Sequence, residues 1–510
     1  MGGVLMNPWL CNLLFNNSGG SSLPVTGQTF YASLKTSLVP EVGTGGPTWS
    51  RATTAWRFNE IGLLRQIPNG CAEFGGARLV TNLCPTPSNT LAVAGTKTVT
   101  LTAAATLQFS MGAGTGTATF SGTGGATGTL DAGVSRVSVN KTVTAGTFIV
   151  TASVADLVDL SIVDVTGRDA SYVPEYVSVG VLSSPYHGAG ADGSKYFATD
   201  WQGAPIPITN LTRLRKESSA TNALLWSRDL SNAAWSTKTN ITAAKTATGL
   251  DGIANSASTL TATSADAIIL QPITLASAAR CVSAYVTRRT GTGTISFTQD
   301  GGSTWTDITS QFNSATFSRV QITATLANPS VGFKISTSGD AIAVDCVQNE
   351  AGSVATSPIV TTTTTVNRNA DSLTYQTSGN IDFTVGTCYS ILKSSGALTS
   401  RFAVYLPSGS SFVNSSNENT SWSSYDGVNT VSKTGLDDMT AEAMVKRVVA
   451  WGGSTQKVTG NGATPASGVF DGSWGSGATI SIGNTVQGYV GDVAIYNYKM
   501  TDAELQAITT

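Results

Sequence analysis

Charged side chains are scarce in this chain: Asp, Glu, Lys and Arg make up 12% of its 510 residues, against roughly 25% in an average soluble protein. The 29 basic and 31 acidic residues leave a formal charge of −2. There is no cationic excess to neutralise a phosphate backbone, which excludes nucleic acid as the main partner. The single histidine, His187, rules out multi-histidine metal sites and makes any serine or cysteine triad depend on one residue. Six cysteines (Cys11, Cys71, Cys84, Cys281, Cys346, Cys388) form no C-x-x-C pair. No zinc site or other metal or cofactor is expected, and free buried thiols in a protein made in a reducing cytosol are. No apolar run approaches the ~20 residues of a membrane-spanning helix. Residues 1–20 have no basic start, and Pro8 interrupts their apolar residues, so no signal peptide is expected.

What is abundant is strand-forming sequence. Thr, Val, Ser and Ala alternate over 98–106, 135–143 and 319–326, with turn residues between, the pattern of antiparallel sandwiches and not of βαβ units. Glycine is frequent, at 54 residues, yet 41% apolar residues and ten tryptophans argue for packed cores. The run GAGTGTATFSGTGGATG (112–128) reads as closely packed strands around Phe120. Two helices are expected, one over 437–449 and one starting at Met500. In the second, Thr501 and Glu504 have the spacing of a capping box.

The chain also repeats itself. Thr81-Asn82-Leu83 and Thr221-Asn222-Ala223-Leu224 each open a long β region. Each region reaches a Ser-Arg-Val (135–137 and 318–320) and then a Val-Asp (163–164 and 344–345), and a proline follows, Pro174 or Pro358. The landmarks predict two related sandwich modules. Linkers are expected at 203–211 and at the five threonines 361–365. The latter are β-branched and stiff, and should hold neighbouring modules apart in an elongated string.

Several landmarks resemble bacteriophage virion proteins of the fibre and spike type. They are Trp49-Ser50-Arg51-Ala52-Thr53, Gly62-Leu63-Leu64-Arg65, Glu73-Phe74-Gly75-Gly76-Ala77-Arg78 running to Thr81-Asn82-Leu83, and the stretch 172–197. TNALLWSRDLSNAAW (221–235) resembles the start of a jelly-roll, carbohydrate-binding-like module. Gln348 to Thr361, with Asn349-Glu350, resembles its end, and Arg368 and Asp371 the exit from it. Residues 488–505 are similar to the closing strand and helix of a concanavalin-like, laminin-G-type sandwich.

The resemblance implies a mainly β chain of tandem antiparallel jelly-roll sandwiches ending in a concanavalin-like one. The expected divisions are a virion-attachment segment over 1–80, a first sandwich over 81–214, a carbohydrate-binding-like jelly roll over 215–366 and a concanavalin-like domain over 367–510. It further implies a homo-oligomer, most simply a trimer, assembled in the host bacterial cytoplasm and residing in the virion. Residues 1–48 match nothing in the family and would bind other virion proteins. Tail fibre or spike with host-surface polysaccharide as ligand is one implied role. A capsid head fibre or decoration protein with no receptor is the alternative.

No catalytic residue is expected. His187 sits in the glycine-rich PYHGAGADG without a nucleophile elbow. Asp437-Asp438 suit a helix start better than the paired acids of a glycosidase. Sugar binding is the stronger idea, because such sandwiches stack pyranose faces on exposed aromatic rings. Trp422, Tyr425 and Trp474 lie in Ser/Gly/Asn-rich stretches and are the candidate glycan-binding residues, whereas Trp451, flanked by Val448, Val449 and Ala450, reads as core.

Overall fold

The computed structural model describes residues 23–510, except 85–89, 92–95, 102–103, 123–126, 153–156, 169–170, 178, 180–192, 395–400, 407–410, 417–419, 440–443, 473 and 475–476. The chain is a series of antiparallel β-sandwiches. Among the described residues the one α-helix is Asp502–Thr509. It is capped as its sequence predicts: the Thr501 hydroxyl accepts from the Glu504 amide, and the Glu504 carboxylate accepts from the Thr501 amide at 2.7 Å. Of the second expected helix, over 437–449, residues 440–443 lie outside the described residues and 445–449 are not helical. Val445–Gly452 is a strand flanked by Gly386–Ser394 and Thr455–Gly460. It is buried on both faces, so its apolar run is that of a central strand and not of a helical stripe.

The first two sandwiches repeat one design. In the first, strands Val137–Val143, Ala105–Met111 and Ser161–Asp164 form one sheet and a four-stranded sheet faces it. In the second, two five-stranded sheets enclose a core that includes Trp235, Phe297 and Phe333. The Asn82 amide donates to the carbonyls of Leu160 and Val177, and its oxygen accepts from the amides of Cys84 and Ile162. Asn222 does the same with Val347, Ile359, Leu224 and Asn349. Arg136 donates to Ser110 as Arg319 does to Ser283. These equivalences align Leu160 with Val347, six residues away from the register implied by the Val-Asp landmarks, which would pair Val163 with Val344. Repeated side-chain bonds, and not the commonest dipeptides, mark the true alignment.

The third sandwich is laced together from distant parts of the chain. Strand Gln28–Ala32 pairs with Gly488–Tyr496, and Arg213–Lys216 pairs with the same strand at Val490, Tyr489 and Gly488. Phe74–Gly75 extends that sheet, while Thr48–Ser50 adds to the opposite one through Ser372–Gln376. Phe30, Trp49, Phe74 and Leu214 enter one core with Trp451, Ile480 and Val493. Each such side chain contributes roughly 1.5–3 kcal/mol by leaving water. The expectation of a separate attachment segment over 1–80 is therefore corrected for its described part: 28–80 supplies strands and core to the C-terminal sandwich. Residues 1–22 lie outside the described residues.

The threonine run 361–365 is likewise no stiff spacer. It bends, and Thr361 is buried, its hydroxyl donating to the Leu224 carbonyl at 2.7 Å. The stretch 112–128 holds strand Thr117–Gly122, with Phe120 against Phe109 at 4.1 Å, as its alternation predicts. Cys71, Cys84, Cys281, Cys346 and Cys388 are buried, and no two of them form a disulfide.

Candidate functional site

In this weakly charged chain, an unusual share of the charge meets at one buried junction. Strand Arg213–Lys216 alternates two apolar-facing and two polar positions before Glu217, and its pairing with Gly488–Tyr496 carries Glu217 under the hairpin Ala55–Phe58/Leu64–Ile67. Three arginines from separate segments converge on Glu217: Arg57 at 2.6 Å, Arg368 at 2.9 Å and Arg215 at 3.0 Å. The Ser357 amide and hydroxyl complete its shell at 2.9 and 2.7 Å. Arg57 also pairs with Glu73 and donates to the Ser357 hydroxyl. One step away, Asp371 pairs with Arg51 at 3.0 Å and accepts the Glu217 amide at 2.9 Å.

Burial alone would push the Glu217 carboxyl up. Arg57, Arg215 and Arg368, with the Ser357 hydroxyl, outweigh it and hold the carboxyl well below the usual range. Glu73 goes the other way: desolvation raises it despite Arg57 and Arg215. Lys216, buried over the Trp49 ring with its Nζ donating to the Asp371 carbonyl, is lowered by desolvation to about 8, with Asp371 opposing. Each of the three carboxylates is paired with at least one arginine, and the arrangement is a structural weld between the N-terminal hairpin, the end of the jelly roll and the C-terminal sandwich.

Beside the weld lies a cleft of about 470 Å³ between that hairpin, Phe74–Thr81 and the first sandwich. The hairpin bridges two modules. Glu60 accepts from Arg168 and from the Trp201 indole at 2.8 and 2.7 Å. Leu64 and Arg65 donate to the Leu250 and Asp251 carbonyls, each at 2.8 Å. Asn59 closes its loop, accepting the amides of Ile61 and Leu63.

The candidate glycan-binding residues are not brought together as a sugar platform. Trp422 is 0% and Trp474 1% exposed, and both belong to the core of the C-terminal sandwich. This corrects the expectation that they stack on a pyranose. Strand Trp422–Tyr425 alternates inward and outward, and its register points Trp422 in. Trp474 packs edge-on to Trp451 at 5.6 Å and against Phe470. Tyr425 faces outward but is half-buried, and its hydroxyl donates to the Gly427 carbonyl at 2.6 Å. Trp451 is core, its indole donating to the Asp382 carbonyl. His187 lies outside the described residues. Among the described residues no cluster of His, Cys, Asp or Glu is arranged to hold a metal ion, and no helix is long and apolar enough to cross a membrane.

Landmark residues Arg51, Arg368 and Asp371 turn out to be parts of the weld. Arg78 is another buried charge, held between Phe197 and Trp201 with Glu175 at 2.6 Å. Sequence reasoning missed Glu217 and Arg57. The signal for Glu217 was Arg213-Leu214-Arg215-Lys216-Glu217, four charges in five residues of a chain where charge is rare.

No family model matches the chain, and no curated protein does. Among solved structures, it aligns with the N-terminal CBM22-1-CBM22-2 tandem domain of Paenibacillus barcinonensis Xyn10C. The identity is 10% and the TM-score 0.20, over 56% of this chain and 99% of that one.

Proposed function

We propose that this chain is a non-enzymatic structural protein of a bacteriophage virion, a rigid fibre- or spike-type component in which sandwiches are fastened to one another. The observation that carries the reading is the convergence of Arg57, Arg215 and Arg368 on the buried Glu217. These ion pairs occupy both oxygens of the Glu217 carboxylate and resist relative motion of the segments they join. Low surface charge supports a homo-oligomer, with a trimer the simplest form, because symmetric assembly buries patches on every subunit. Of the two virion roles, the burial of Trp422 and Trp474 favours a head-fibre or decoration protein over a tail fibre that reads glycans with those rings.

The test is immunogold labelling of particles from the phage that carries the gene. Labelling on the capsid supports the decoration role and labelling at the tail tip the receptor role. Particles that carry none of the protein would overturn the proposal.

A further inference from the structure

We infer that the cleft between the Ala55–Phe58/Leu64–Ile67 hairpin and the first sandwich binds a neutral saccharide, a role separate from the structural one proposed above. Its volume, about 470 Å³, lies within the roughly 300–1,000 Å³ of small-molecule sites. The lining is amphipathic: Leu79, Val163 and Tyr196 offer an apolar surface, and charged and amide groups surround it. Three arginines (57, 65 and 168) face three acids (Glu60, Glu73 and Asp164), so the cleft offers no net field to draw an ion of either sign.

Specific polar atoms there remain uncommitted. Asn59 spends its Oδ1 on the Ile61 and Leu63 amides, and its buried Nδ2 has no partner. Glu60 meets both Arg168 and Trp201 with Oε1, which leaves Oε2 open. Asp164 accepts the Thr166 amide with Oδ1 alone. The exposed Gln66 amide makes no side-chain bond among the described residues. Donors and acceptors are thus interleaved around an apolar floor. A wholly apolar ligand would leave Asn59 unpaired, at a cost of about 1–3 kcal/mol. A charged ligand would meet a like charge within the same cleft. A sugar ring supplies C–H faces for the floor and hydroxyls that both donate and accept.

The test is ligand-observed NMR on the full chain. The probes are glucose-, galactose- and N-acetylglucosamine-terminated disaccharides, run beside matched uronic-acid disaccharides. Neutral disaccharides are expected to bind in preference to the uronic acids. Asn59→Asp keeps the loop-closing oxygen and removes the donor, and Gln66→Ala removes an exposed, uncommitted amide. Each should weaken binding about tenfold, whereas Tyr425→Ala in the distant sandwich should not change it. If Asn59→Asp lowers the melting temperature, Gln66→Ala decides alone. Binding by no neutral disaccharide, a preference for uronic acids, or binding that survives Gln66→Ala would each overturn the inference.

Discussion

Replacing Glu217 with Gln is the sharpest perturbation of the weld. Gln keeps the shape and an oxygen for the Ser357 amide, but it removes the negative charge that Arg57 and Arg368 share. Those two side chains are only 4% and 1% exposed, so water cannot replace the carboxylate. Removing one partner of a buried ion pair typically costs about 3–5 kcal/mol. The Arg57–Glu73 pair survives and keeps the loss within that range, and Arg215, 19% exposed, is partly rehydrated. With a urea slope of about 2 kcal/mol/M, the midpoint of the affected transition should fall by about 2 M.

The sign of the pH dependence follows from the depressed Glu217 carboxyl. A folded-state pKa below the unfolded one means that the unfolded chain takes up the proton first. The stabilisation is then complete above the unfolded value of about 4.3 and is lost as pH falls toward the folded value. The gap between wild type and Glu217→Gln should therefore be widest near neutrality and close in acid. The jelly roll has its own core around Trp235 and Phe297, so a second, later transition should keep its midpoint. Urea titrations followed by tryptophan fluorescence at pH 7 and pH 3.5 provide the assay. A midpoint shift at pH 7 below ~0.3 M would refute the reasoning, as would an equal shift at both pH values.

Trp422→Ala and Trp474→Ala should each cost about 3–5 kcal/mol of stability, read as a lowered melting temperature, because both rings are core. Lys216→Met should flatten part of the alkaline stability profile. A lysine lowered to about 8 in the fold makes the wild type gain stability as pH rises from about 8 to 10.4, on the order of 3 kcal/mol, and the difference between the two proteins in chemical denaturation should follow that curve. Asn82→Ala and Asn222→Ala should each destabilise their own sandwich by about 2–4 kcal/mol, since each strands two carbonyls and two amides. Hydrogen exchange should show the loss confined to the mutated module.

The all-β character, the capped terminal helix and the repeat opening at Asn82 and Asn222 were legible because local pattern or side-chain chemistry fixes them. Thr501 and Glu504 need only each other, and each Asn recurs at the start of its module. Val445–Gly452 misled because a strand buried on both faces shows no alternation. Trp422 and Trp474 misled for a related reason: polar neighbours such as Ser423 or Gly472 say nothing about which way an indole points. The strand Trp422–Tyr425 sets that direction through its register, which pairing partners determine. The lacing of 28–80 and 213–217 into the last sandwich was illegible because it rests on strand pairings from 138 to 468 residues apart. No local window contains both Arg215 and Tyr489. Arg51, Arg368 and Asp371 stood out as landmarks, but their common destination emerged only when Glu217 was placed among them.

The C-terminal sandwich is completed by strands from the beginning and middle of the chain. This completion is tested most directly by expressing residues 367–510 alone and recording a two-dimensional amide NMR spectrum and a thermal melt. Without Gln28–Ala32, Thr48–Ser50, Phe74–Gly75 and Arg213–Lys216, both sheets lose edge strands and the core loses Phe30, Trp49, Phe74 and Leu214. Residues 367–510 should give a collapsed spectrum with no cooperative melt, whereas residues 215–366, with a core of their own, should give dispersed peaks and a sharp transition. A well-dispersed spectrum and a cooperative melt from 367–510 alone would contradict this completion.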